Sequence, residues 1–157
     1  MESIRLNDKL QLSGLDSFRE MNESEIAGMR IDSKGEGVVM TDPEHHIMIS
    51  AAWKKAGGLF GRLLGENDLV RNMETTYRKA FKPYGFALED YLERTIAGDT
   101  AKGLRYTYHV KDTDMTGESF AIKKDHTIYN FHVYYRTALA EESRKIWYDI
   151  LDQAEWK

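Results

Sequence analysis

Apolar residues recur along this chain at two different spacings, and the switches between them mark out its elements. Ile4, Leu6, Leu10 and Leu12 alternate with polar neighbours around Asn7-Asp8, the pattern of an extended opening segment. Asn22 with Glu25 three residues on has capping-box spacing, and Ile26 and Met29 give a short helix its apolar face. Residues 35–41 and 46–53 flank Asp42-Pro43-Glu44-His45, whose Asp and Pro supply the turn of an antiparallel hairpin. The run from Gly57 to Gly65 is apolar at Leu59, Phe60, Leu63 and Leu64, but its glycines disfavour a rigid helix, so it reads as a mobile connection.

After it the period lengthens. Val70, Met73, Tyr77, Ala80 and Phe81 form the stripe of a helix capped by Asn67 or Asp68 and ended by Pro83 and Gly85. Four strand candidates follow at 90–97, 102–111, 115–123 and 127–137, divided by polar turns, and read as an antiparallel meander. Ser143, Ile146, Trp147, Ile150, Leu151 and Ala154 then share one face of a closing helix over 139–153, with Glu141 and Lys145 paired on the other. Helices segregated from an antiparallel sheet give an α+β class, and 157 residues match one domain spanning 1–157.

Composition narrows the function classes. A net charge of -4 provides no global positive field for a polyanion, which argues against nucleic acid as a partner. The absence of cysteine removes disulfides, thiolate metal sites and cysteine nucleophiles together. No apolar window approaches the roughly 20 residues of a membrane span, and Met1 to Lys9 has no signal character, so the expected location is cytoplasmic.

The segment Leu15 to Ile26, with Phe18, Met21 and Glu25 at their places, resembles the opening of bacterial PsbP-like and DcrB-like domains. Gly103-Leu104-Arg105-Tyr106-Thr107-Tyr108 is similar to their G-x-x-Y-x-Y strand, and Tyr129 to Val133 and the closing helix ending at Trp156 continue the pattern. The resemblance implies an antiparallel sheet flanked by helices, an α/β/α sandwich. It also implies relatives that are mostly non-enzymatic adaptors, assembly factors, lipoproteins or chaperones, one branch being similar to the chaperones of type VI secretion effectors.

Candidate chemistry is sparse. Arg105 and His109 alternate on one face of their strand, and His132, Tyr134 and Arg136 on one face of theirs. If the two faces coincide, with Glu118 between them, they form a polar cluster suited to an anionic ligand. The remaining face, Leu104, Tyr106, Tyr108 and Val110 with Tyr129, Phe131, Val133 and Tyr135, is expected as core under the final helix. His45-His46 lies at a turn, where adjacent side chains diverge and chelate poorly. The glycine run lacks the spacing of a phosphate loop. With Trp53, its residues Leu59, Phe60, Leu63 and Leu64 form instead a candidate surface for a partner. No nucleophile elbow, His-Glu-x-x-His or dinucleotide fingerprint is present, and no motif calls for a metal or a cofactor. The expectation is a non-catalytic domain that holds a protein or peptide. The alternative is a binder of small anions, or an enzyme, built on Arg105, His109, His132 and Arg136. A homodimer is compatible with either.

Overall fold

In a computed structural model, residues 3–7, 9–13, 17–21, 36–55 and 65–157 are described. The expected helix after Asn22 and all of the 57–65 run except Gly65 lie outside them. Strands β1 (Ser3–Leu6) and β2 (Leu10–Ser13) pair as a hairpin, followed by β3 (Arg19–Glu20), β4 (Glu36–Asp42) and β5 (Ile47–Lys55). Helix α1 (Glu66–Ala80) leads through a 3-10 turn to β6 (Ala87–Ile96), β7 (Asp99–Val110), β8 (Thr113–Lys124) and β9 (Thr127–Arg136). Helix α2 (Ala140–Asp152) and β10 (Glu155–Trp156) close the chain. The large sheet has the order β3-β4-β5-β9-β8-β7-β6, and a small one the order β1-β2-β10. Every pairing is antiparallel.

The local signals place most of these elements. Asp42 shapes the β4–β5 turn, its carboxylate accepting the His45 backbone N–H at 3.3 Å. Helix α1 is capped at Gly65 rather than at the expected Asn67 or Asp68. Asp68 instead sits one turn in and reaches back to accept the Gly65 N–H at 3.2 Å, the reciprocal half of a capping box. Gly85 ends the following turn at φ 74°, a conformation with little cost only for glycine.

Both faces of the large sheet are covered, which the alternation alone does not reveal. On one face Ile49, Phe120, Phe131, Val133 and Tyr135 pack with Trp147, Ile150 and Leu151 of α2 and with Leu6, Leu10 and Leu12 of the small sheet. On the other, Leu104, Tyr106 and Tyr108 pack with Val70, and Met73 and Tyr77 of α1 and Phe81 just beyond its end lie against them. The face expected as a single core under the final helix is therefore two. Residues 104, 106 and 108 sit under α1, while 129, 131, 133 and 135 sit under α2. Val110 belongs to neither, being 43% exposed at the end of β7. Trp147 is fully buried, and its truncation to Ala costs about 3 to 5 kcal/mol by the usual rule for large core side chains. No described helix is long and apolar enough to cross a membrane.

Candidate functional site

Cross-strand register decides which of the sequence-selected side chains meet. Arg105 lies opposite Glu118, and Glu118 opposite Val133, so these three share the α2 face. His132 lies opposite Ser119, which lies opposite Leu104, and this set faces α1. The expected cluster of Arg105, His109, Glu118, His132, Tyr134 and Arg136 is thus divided between the two sides of the sheet. The odd-numbered positions of β7 line up with the odd-numbered ones of β9, so Arg105 and His132 project in opposite directions.

Glu118, with no exposed surface, organises the α2 side. Tyr135 donates to its Oε2 at 2.6 Å, Tyr148 to its Oε1 at 2.8 Å, and the Arg105 Nε to Oε2 at 3.3 Å. Arg105 also donates to the Tyr148 hydroxyl at 2.9 Å, and Arg144 donates to Tyr135 at 2.8 Å while lying 3.6 Å from Oε2. Burial, reinforced by the Glu118 charge, raises both phenols above their ordinary range, so they remain protonated donors. Burial opposes the Arg105 charge, but Glu118 together with the hydroxyls of Tyr148 and Tyr135 outweighs it and holds the guanidinium above its ordinary value. Every donor turns inward to a partner within the fold. Chemically this fixes α2 on the sheet at one position; such paired buried charges specify geometry more than they add stability.

On the α1 side, His132 is closed in by phenols. Its Nε2 lies 2.7 Å from the Tyr106 hydroxyl and its Nδ1 3.1 Å from that of Tyr134, while the Tyr77 ring packs 4.7 Å away. Burial pushes the imidazole down to about 3, so it is neutral at ordinary pH. A neutral ring has one donor and one acceptor, and the two hydroxyls satisfy both in either tautomer. Tyr77 meets the Ser119 hydroxyl at 2.9 Å, and Asn130 donates to the same oxygen at 3.0 Å, extending a polar layer beneath α1. His109, by contrast, pairs with Asp114 at 2.5 Å on the exposed β7–β8 hairpin, and Arg136 is exposed at the end of β9.

Two further regions carry residues singled out by the sequence. At the β4–β5 turn the buried Asp42 accepts from Ser17 at 2.7 Å and bonds His45 Nδ1 at 2.6 Å, and Glu142 of α2 lies 3.9 Å from the other ring nitrogen. Ligand atoms of Asp42, Glu44 and His45 come within 4.8 Å of one another, but the Asp42 carboxylate already serves Ser17 and His45. Of the expected partner surface, Leu59, Phe60, Leu63 and Leu64 lie outside the described residues. Trp53 is partly buried against the α2-side core rather than free as a docking residue, because β5 lies inside the sheet beside β9 and Trp53 faces Tyr129.

The open surface is at the other margin. β6 is the end strand of the large sheet, ten residues long, with no strand on its outer side among the described residues. A register shift between Leu88 and Asp90 bends it, and Tyr91 is 58% exposed while donating to Glu74 of α1 at 2.5 Å. Beside it lies a depression of about 320 Å³, lined by Asn67, Val70, Arg71, Tyr91, Leu92, Lys102 and Gly103. Sequence reasoning missed this margin and the roles of Tyr135, Arg144 and Tyr148. One signal was available: Glu118 is a lone charge amid Ser119, Phe120, Ala121 and Ile122, and a carboxylate there needs donors from whatever covers the strand.

No protein-family model and no curated protein match the sequence. Solved structures do match in fold. Cyanobacterial PsbP (CyanoP) from Synechocystis sp. PCC 6803 superposes with a TM-score of 0.72 at 11% identity, covering 98% of this chain and 89% of that one. PA94 from Pseudomonas aeruginosa, a protein of unknown function and putative regulator, gives 0.57 at 13%, covering 98% and 94%. LpqN of Mycobacterium tuberculosis, involved in cell envelope biogenesis, gives 0.57 at 16%, covering 94% and 83%. The resemblance seen in the Phe18 and Tyr106 segments holds at the level of architecture: the chain has the PsbP-like fold, an antiparallel sheet flanked by helices.

Proposed function

We propose that this chain is a non-catalytic binding domain that accepts a protein or peptide segment along β6. The observation that carries the reading is the outer edge of that strand, whose backbone groups have no strand partner among the described residues. An extended segment adds to such an edge through main-chain hydrogen bonds, with side-chain pockets supplying the selectivity. The inward use of the chemistry-bearing groups supports the same reading. Glu118, Arg105 and Arg144 hold α2, and His132 is enclosed under α1. The names of PA94 and LpqN, a putative regulator and a protein of envelope biogenesis, carry no reaction and agree with a binding role.

A photo-crosslinking residue in place of Tyr91 tests this in the producing cells. A discrete adduct from position 91, absent when the same group replaces the partly buried Tyr148, is the expected result. Equal labelling from both positions, or none from 91, rejects it. A second reading is favoured by the cations at the depression beside Tyr91, where Arg71 and Lys102 suit a small anion. In that case a free carboxylate raises the melting temperature of the wild type and does not raise that of Arg71→Ala.

A further inference from the structure

We infer that the segment taken up along β6 is anchored by an acidic side chain that enters the depression between β6 and α1 and pairs with Arg71 and Lys102. This rests on the binding role proposed for β6 and adds the chemistry that selects the partner. The geometry comes from the register. Tyr91 lies opposite Leu104 and Glu93 opposite Lys102, so these four positions share the face on which α1 packs. A strand added outside β6 sends alternate side chains to that same face. One opposite Tyr91 is therefore directed toward the α1 flank, where Asn67, Val70 and Arg71 complete the rim.

Charge then selects the occupant. Arg71 makes no ion pair among the described residues. Lys102 has only a 3.3 Å hydrogen bond to the Asn67 carbonyl and Glu93 at 4.0 Å, both on exposed side chains. Glu74, the other nearby carboxylate, is already taken by Arg78 at 3.0 Å and by the Tyr91 hydroxyl. The depression thus presents, among the described residues, one unpaired guanidinium and one loosely held ammonium beside the apolar side chain of Val70, which fits a carboxylate on a short aliphatic stem. A basic anchor meets two like charges there, which is a penalty rather than a neutral alternative.

The test uses three fluorescein-labelled decapeptides of alternating Thr and Val that differ at one central residue, Glu, Gln or Lys. Binding to the full chain is read by anisotropy, and amide protection along β6 by hydrogen exchange. The Glu peptide should bind about three- to five-fold more tightly than the Gln peptide, the range expected of a partly exposed ion pair, and the preference should shrink at about 0.5 M salt. It should vanish in Arg71→Ala and in Lys102→Met and persist in Lys79→Ala, whose exposed cation lies on α1 outside the depression. Protection of β6 amides by all three peptides with no Glu preference overturns the acidic anchor and leaves the binding role intact. If no peptide protects β6, both fail. Resonances of Arg71 and Tyr91 that shift with free hexanoate but not with the Glu peptide mark a small-molecule site and also overturn the proposal.

Discussion

The enclosed imidazole of His132 makes a quantitative demand on stability as the pH falls. An exposed histidine in the unfolded chain takes a proton near 6.5, whereas burial holds the folded one unprotonated until about 3. Between those values the unfolded state alone binds the proton, so the contribution of the neutral ring is whole above 6.5 and is lost as pH falls through the window. The slope is about 1.4 kcal/mol per pH unit, or about 3 kcal/mol between 6.5 and 4.5. That is a large share of the roughly 5 to 15 kcal/mol by which domains are stable. The phenols around the ring cannot offset it, because Tyr77, Tyr106 and Tyr134 are all raised above their ordinary range and do not titrate there. His132→Gln keeps a donor and an acceptor for Tyr106 and Tyr134 but carries no proton in this range. Urea unfolding followed by tryptophan fluorescence from about pH 7.5 to 4.5 should show the variant less stable at neutral pH, by about 1 kcal/mol for an imperfect hydrogen-bond replacement. The two stabilities should converge and cross as the pH falls. Carboxylates elsewhere titrate equally in both proteins, so the difference isolates the imidazole. Parallel curves over the whole range would refute the reasoning, because they would mean that the ring is protonated in the fold or reaches water.

Three other expectations follow from the same contacts. Glu118→Gln leaves Arg105 and Arg144 without their carboxylate and should cost about 3 kcal/mol by urea unfolding, with a loss below 1 kcal/mol counting against a central role for the network. Gly117→Ala places a methyl against the Tyr106 ring, so the near-ultraviolet circular dichroism of the α1-side aromatics should change and the acid sensitivity of His132 should rise or fall with it. His45 is raised above 6.5, chiefly by its hydrogen bond to Asp42, so the pairing is complete below that pH and fades as pH rises through the folded value. An NMR titration should return the His45 midpoint toward 6.5 in Asp42→Asn, and no movement would exclude the contact.

What could be read from the chain followed the range of the interactions involved. Turn chemistry is local, so Asp42-Pro43 located the β4–β5 hairpin and Pro83 with Gly85 located the end of α1. The stripe Ser143, Trp147, Ile150 and Leu151 was equally visible, since a helix repeats its buried face every three or four residues. The face shared by two different strands is not local. Periodicity says that Arg105 and His109 lie on one side of β7, but only the pairing of Arg105 with Glu118, and of Glu118 with Val133, says which side of β9 that is. Tyrosine added to the ambiguity, because Tyr106, Tyr134 and Tyr135 each have a body fit for a core and a hydroxyl that needs a partner. The β6 margin was hidden for the same reason: that a strand is last in a sheet depends on where the others fall.

The small sheet imposes an order on the birth of the molecule. Its middle strand, β2, receives β1 from a neighbouring turn but receives Glu155 and Trp156 from the far end of the described chain, where the Lys157 N–H donates to the Lys9 carbonyl at 2.6 Å. A lone hairpin of two four-residue strands is not independently stable in water. Leu6, Leu10 and Leu12 therefore leave the ribosome before α2 and β10, and gain their full cover only when those have followed. Until they do, the nascent chain carries an apolar hairpin that cannot settle, a stretch for which a holding chaperone is the natural escort.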